Sequence, residues 1–132
     1  MVVGLSLLLY RRELLARSIP GLAVQAAAVV LMIAARVTFG LRSFHAAANP
    51  TAGGLVTRGP YAWLRHPIYA AVLYFIWSTA VDHGSAQSFA AALLVTAGAC
   101  VRMYAEESLL LTTYPEYAAY RARTARVIPF VL

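Results

Sequence analysis

The segment LVTRGPYAWLRHPIY, residues 55–69, is the most polar and aromatic stretch of an otherwise apolar chain. The pair Gly59-Pro60 predicts a turn. Pro67 pushes the preceding residue, His66, into an extended conformation and suits the first turn of a helix, so a helix is predicted to begin there. The unpaired N–H groups at the start of that helix can receive a carboxylate or a phosphate.

Two interpretations of this segment stay open on its composition alone. Hydrogen-bonding and stacking groups lie close together in it, which is typical of a ligand site; they are Tyr61, Trp63, Arg65, His66 and Tyr69. The same residue types also collect at membrane–water interfaces simply as anchors. Residues elsewhere in the chain are needed to separate a site from an anchor.

Composition indicates one integral membrane domain. The 132 residues are 61% hydrophobic and 12% charged, with a mean hydropathy of +0.69, which lies outside the range of soluble domains. The formal charge of +6 comes from arginine, because the chain contains no lysine. Scattered arginines without a compact basic run favour contact with anionic lipid and argue against nucleic acid as a partner.

The apolar runs predict an all-α membrane bundle of about three to four transmembrane helices. Ile19 to Phe39 matches the ~20 residues that a span needs. Ile68 to Val81 and Ser88 to Tyr104 predict a helical hairpin, because a short polar turn joins them. The single domain, residues 1–132, then divides into N-terminal helices at 1–39, a cofactor loop at 40–67, the hairpin at 68–104 and a cytoplasmic C-terminal segment at 105–132.

Arginine distribution predicts the orientation. The polar loop and the segment after the hairpin carry more arginines than the stretch before the first full span, so both are expected on the cytoplasmic side. We therefore expect a protein of the inner (cytoplasmic) membrane whose site faces the cytoplasm. Arg36, near the end of the first span, is interpreted as an anchor that reaches the interface rather than as a functional charge.

A second polar cluster follows the hairpin. Arg102 and Glu106 are four residues apart, so on a helix they share one face and can form an ion pair. Taken alone, this pair fits an interfacial salt bridge that ends the span. A hairpin, however, returns it to the membrane face where His66 lies, which predicts a shared polar site. The histidines are too scattered along the chain to predict a metal site, and no metal is expected.

The ordered combination of motifs resembles the isoprenylcysteine carboxyl methyltransferase family, whose broader group includes the phospholipid methyltransferases. The motifs are Leu55 to Tyr61, Arg65-His66-Pro67-Ile68-Tyr69, Glu106-Glu107 and Tyr114 to Arg121. The combination is more specific than any one motif, because sterol reductases that use NADPH carry a similar Arg-His-Pro.

The resemblance implies S-adenosylmethionine in a cytoplasmic pocket and a lipophilic or lipidated methyl acceptor that enters from the lipid. Arg102 matches the arginine that meets the methyl-accepting carboxylate, and Arg102 and Glu106 would be the catalytic pair. By motif position the cofactor contacts would be Leu55, Val56, Tyr61, His66, Pro67, Ile68, Tyr69 and Glu106. Two positions depart from the family pattern: Gly53 replaces a usual histidine, and Ala70-Ala71 replaces a frequent glycine.

Other functions remain open at this point. They are a reductase of the sterol type that uses NADPH, a phospholipid N-methyltransferase, and a non-enzymatic membrane protein with interfacial anchors. An amine or thiol acceptor would need a base, for which Glu106 or Glu107 could serve. The roles of these two carboxylates are not separated by the sequence. Self-association would suit a chain this small, and the oligomeric state stays open.

Overall fold

The computed structural model describes residues 2–4, 6, 14–40 and 54–130. The all-α prediction is confirmed for these residues, which contain no β-strand, only an isolated parallel bridge between Leu64 and Ala125. The helices are α1 (Ile19–Phe39), α2 (Pro67–His83), α3 (Ala86–Thr113) and α4 (Tyr117–Arg123), with a 3-10 turn at Gly59–Ala62. Residues 41–53, the first half of the polar loop including Gly53, and residues 7–13 lie outside the described residues.

Two of the described helices, α1 and α3, are long and apolar enough to cross a membrane. The expected count of three to four spans therefore stays a prediction. Helix α3 runs to Thr113, well past the predicted end at Tyr104, so Glu106 and Glu107 lie inside a helix rather than after one. The helix can continue because alanine, leucine and glutamate all favour it and because both carboxylates find cationic partners there.

Small residues let the two arms of the hairpin approach closely. Ala80 of α2 and Ala91, Ala92 and Ala99 of α3 are fully buried, and larger apolar side chains such as Ile76 fill the space between them. In a membrane, helix association depends on this close packing and on interhelical hydrogen bonds, since lipid is as apolar as the core. The alanine-rich composition of the chain thus allows the two arms of the hairpin to pack tightly.

A buried polar contact joins α1 to α2 at the end of the bundle away from Pro67. The Gln25 side chain donates to Thr79 Oγ1 at 2.8 Å and to the Leu14 carbonyl at 3.0 Å, and it accepts from Ala16 N at 3.1 Å. Asp82 accepts hydrogen bonds from the backbone N–H groups just before α1. These contacts fix the orientation of α1 relative to the hairpin.

The other end of α1 holds the 3-10 turn in place. The Phe39 and Tyr61 rings stack with their centroids 5.5 Å apart. Gly59 has a φ of +57°, and a Cβ atom there would lie 2.7 Å from Thr38 Oγ1. Only glycine satisfies both the backbone conformation and the close approach, so the turn can pack directly on α1.

Gly59→Ala is expected to destabilise the protein more than Gly84→Ala. Both positions have a φ near +60°, but a Cβ at Gly84 meets nothing within 4 Å. Gly84→Ala should lower the free energy of unfolding by about 1 kcal/mol, the left-handed cost alone. Gly59→Ala should lower it by about 1–3 kcal/mol more, because Thr38 must move. Unfolding in detergent, followed by circular dichroism, measures both; equal losses would contradict the close approach.

Candidate active site

The hairpin brings the two polar clusters of the sequence together. His66 lies at the start of α2 and is buried, and its ring faces both adjacent carboxylates of α3. His66 Nε2 lies 3.1 Å from Glu107 Oε1, and His66 Nδ1 lies 3.7 Å from Glu106 Oε2. Because an ionised carboxylate can only accept, Nε2 carries the proton toward Glu107. The predicted convergence of His66 with Glu106 is confirmed.

Glu107 is the centre of a buried ion cluster. Only 3% of its surface is exposed. Two arginines pair with its carboxylate: Arg65 Nε lies 3.0 Å from Oε1, and Arg126 Nη2 lies 3.1 Å from Oε2. Arg121 Nε approaches Oε2 at 3.9 Å. The hydrogen bond to Glu107 raises the pKa of Arg126 above its usual value. Several donors converge on one carboxylate, which offsets the cost of burying its charge.

The residues after α4 lock the Arg65-His66 segment by backbone pairing. Arg65 N donates to the Ala125 carbonyl at 2.7 Å, and His66 N donates to the Arg126 carbonyl at 3.1 Å. Arg65 Nη1 also donates to the Arg121 carbonyl at 2.9 Å and to that of Thr124, so it caps the end of α4. The guanidinium of Arg65 therefore joins α3, α4 and the loop before α2.

A tyrosine of α4 also holds the segment before α2 in place. Tyr120 is buried and donates its hydroxyl proton to the Tyr61 carbonyl at 2.6 Å. Burial raises the pKa of Tyr120 above its usual range, so the hydroxyl stays protonated and acts as a donor. Tyr117 is also fully buried, and its hydroxyl has no hydrogen-bond partner among the described residues. The exposed face of α4 carries arginines, so the helix is amphipathic.

A second, more open group lies beside the buried cluster. The Tyr69 hydroxyl donates to Glu106 Oε1 at 2.6 Å and accepts from Arg102 Nε at 2.9 Å. Arg102 Nη2 lies 3.9 Å from Glu106 Oε1, so the predicted pairing four residues apart is present. The side chain of Glu106 is 24% exposed and that of Arg102 is 46% exposed. These groups, unlike Glu107, remain accessible to a ligand.

Among the remaining predicted cofactor contacts, Pro67 and Ile68 open α2, and Tyr61 lies in the 3-10 turn before it. Leu55, Val56 and Ile68 are half-buried, and Pro67 is buried. Tyr61 is buried, with one face of its ring covered by Phe39. No group of three His, Cys, Asp or Glu that could hold a metal ion occurs in the part of the chain that the structure describes.

Sequence reasoning missed two of the arginines around Glu107, Arg121 and Arg126, and did not place Arg36 near the site. No local pattern of residues links Arg121 or Arg126 to Glu107, so the sequence did not predict these contacts. Arg36, near the end of α1, is half-buried. Burial and the neighbouring Tyr120 raise the pKa of Tyr61, and the charge of Arg36 opposes that rise, so Arg36 lies close to the predicted site. Its place near the end of an apolar run was the only available signal.

Comparison with known proteins identifies the family. The model of the phospholipid methyltransferase family matches residues 16–117. The chain belongs to this family. Its fold is similar to a solved structure of the eukaryotic intramembrane Ras methyltransferase ICMT (isoprenylcysteine carboxyl methyltransferase), with a TM-score of 0.72 and 31% sequence identity. The similarity covers 84% of this chain and 41% of that one, so the chain spans less than half the length of this relative. No curated protein sequence matches the chain.

Substitutions of Glu106 and Glu107, which are adjacent in the chain, compare the open group with the buried ion cluster. Glu107→Gln is expected to lower the free energy of unfolding by about 3 kcal/mol or more, because it leaves Arg65 and Arg126 without their buried counter-charge. Glu106→Gln should change it by less than about 1 kcal/mol, since Glu106 is partly exposed. Unfolding midpoints in detergent compare the pair. Similar losses of unfolding free energy in the two variants would contradict the assignment of Glu107 to the buried ion cluster.

Proposed function

We propose that this family member is an S-adenosylmethionine-dependent methyltransferase that acts on the carboxylate of a lipophilic acceptor at the membrane. The observation that carries the proposal is the accessible Glu106–Tyr69–Arg102 group beside the start of α2. The site would face the cytoplasm, as the arginine distribution predicts. The acceptor's apolar part would stay in the lipid while its carboxylate reaches the membrane surface.

The residues fit the cofactor by the chemistry of their donors. His66 occupies the N-cap of α2 without a side-chain capping hydrogen bond, so the first N–H groups of the helix can receive a carboxylate. Glu106 offers a partly exposed carboxylate to an ammonium or sulfonium group. Leu55, Val56 and Ile68 provide half-buried apolar surface for a purine.

The proposed reaction needs no acid or base from the protein. The bound cofactor supplies a methyl group on a sulfonium, which a carboxylate oxygen can take directly. The carbon–sulfur bond would break with its electron pair going to sulfur as the carbon–oxygen bond forms, so the protein would have no proton to accept or donate. The chain's own residues therefore contribute orientation and the exclusion of water.

Tyr69 and Arg102 would position the acceptor. Tyr69 holds Arg102 through Nε, which directs the guanidinium toward the same region as Glu106. A guanidinium can bind a carboxylate through two parallel hydrogen bonds, so Arg102 would fix the angle at which the acceptor oxygen meets the methyl group. Glu107, held by Arg65 and Arg126, would keep His66 and the start of α2 in place.

A phospholipid amine is the second acceptor class to consider, because the matching family model is that of the phospholipid methyltransferases. An amine must lose a proton as it is methylated, and Glu106 is the accessible carboxylate that could take it. Arg102 in the same group favours the carboxylate, since an arginine repels an ammonium.

Cofactor binding provides the first test. S-Adenosylhomocysteine is expected to bind the detergent-solubilised chain in calorimetry, and NADPH is not. Glu106→Gln should weaken binding about tenfold or more, because a charge-assisted hydrogen bond to the ligand is lost. Glu116→Gln, at an exposed glutamate at the start of α4, is the matched control and should bind as the wild type does.

Binding of NADPH alone would instead assign the chain to the reductases. Binding of neither ligand would leave an anchor function and overturn the proposal. His66→Ala adds a second probe, because His66 faces both carboxylates; loss of binding with a retained fold would support its place at the cofactor.

Acceptor class provides the second test. Wild-type protein is expected to methylate a farnesylated cysteine analogue with a free carboxylate and not phosphatidylethanolamine. Arg102→Gln should lower kcat/KM for the carboxylate by about 10- to 100-fold, the loss of a charged hydrogen bond, and leave S-adenosylhomocysteine binding unchanged. Transfer of a radiolabelled methyl group measures this. Methylation of the amine alone would replace the carboxylate with a phospholipid acceptor.

A further inference from the structure

A basic groove opens on the side of the Arg65 segment that faces α4 and the residues after it. It has a volume of about 600 Å³ and is lined by arginine and aromatic side chains, among them Trp63, Arg65, Arg121, Arg123, Arg126 and Phe130. Neither Glu106 nor Tyr69 nor Arg102 is among its lining residues. The groove is therefore distinct from the accessible group proposed to hold cofactor and acceptor.

Positive charge in this groove exceeds what the protein neutralises. Four arginine side chains line it, and the described contacts set one carboxylate, Glu107, against three of them. Glu107 is buried, whereas Arg121 and Arg123 are exposed. The outer wall of the groove thus presents guanidinium groups whose charge a ligand can balance.

Aromatic side chains at the same opening indicate what kind of anion would enter. Trp63 is 61% exposed and Phe130 is 88% exposed, and their rings meet edge to face at 6.0 Å. In a chain with two helices that are able to cross a membrane, exposed aromatic rings beside arginines are typical of the headgroup layer. A small inorganic anion would gain nothing from these rings, whereas a lipid offers both a phosphate and apolar chains.

We propose that this groove binds the phosphate of an anionic phospholipid at a site separate from methyl transfer. Arg121 and Arg123 contact the phosphate, and Trp63 and Phe130 lie against the glycerol and upper acyl region. Arg65 and Arg126 line the groove and also hold Glu107. A bound headgroup therefore lies directly against the buried ion cluster that positions His66. The membrane surface would thereby become part of the support of the site.

Native mass spectrometry of the full chain tests this with no cofactor present, so its result is independent of the proposed methyl transfer. The chain in detergent is titrated with phosphatidylglycerol and with phosphatidylcholine of the same acyl chains. The double variant Arg121→Gln/Arg123→Gln is expected to bind phosphatidylglycerol about 30-fold more weakly than wild type, and Arg123→Gln alone about fivefold. Arg17→Gln/Arg58→Gln removes the same charge at exposed arginines outside the groove and should bind as wild type does.

Preference for phosphatidylglycerol that falls in the groove variants and not in the control would support the proposal. Equal binding of the two lipids, or an equal loss in the control variant, would overturn it in favour of general charge attraction. Glycerol 3-phosphate, added as a competitor, separates the sources of phosphate: displacement of the lipid at similar concentrations would overturn the lipid assignment. Unfolding midpoints of each variant confirm that Arg123→Gln, at an exposed position, keeps the fold.

Discussion

One buried carboxylate organises the functional end of this protein. Glu107 of α3 receives hydrogen bonds from the adjacent residues Arg65 and His66 and from Arg126, so the cluster joins three separate parts of the chain. Since an unpaired charge at this depth is strongly unfavourable, the carboxylate and its donors can only be buried together. The start of α2, the last third of α3 and the segment after α4 are therefore held in one arrangement, and backbone bonds from Arg65 and His66 reinforce it.

The adjacent carboxylates have different environments because successive residues of a helix point in different directions. Glu107 faces the segment after α4 and is buried, while Glu106 faces Tyr69 and stays partly open. A rigid buried charge can support a site, whereas an accessible one can meet a ligand. This separation explains how a Glu-Glu pair can serve both purposes within one helical turn, with His66 touching each member of it.

The two ends of the bundle are built in different ways. At the end away from Pro67, a neutral amide and a hydroxyl, Gln25 and Thr79, satisfy each other between helices. At the functional end, arginines and carboxylates do so, and part of their charge remains open to the surroundings. Between them, fully buried alanines of α2 and α3 allow close helix packing, and Trp77 donates a hydrogen bond across to Thr96. The charged groups thus lie where a membrane surface can supply water and headgroups.

The sequence by itself determined the membrane class, the first span, the hairpin, the start of α2 at Pro67 and the family, because apolar run length, proline chemistry and motif order are local properties. It also predicted the pairing of Arg102 with Glu106, since helical spacing is local. Only the tertiary structure decided that α3 continues to Thr113 and that Glu107 rather than Glu106 is buried. It also brought Arg126, from the segment after α4, and Arg36, from the last turn of α1, into the neighbourhood of the site. Contacts between residues far apart in the chain depend on how the helices pack, and no local pattern of residues carries that information.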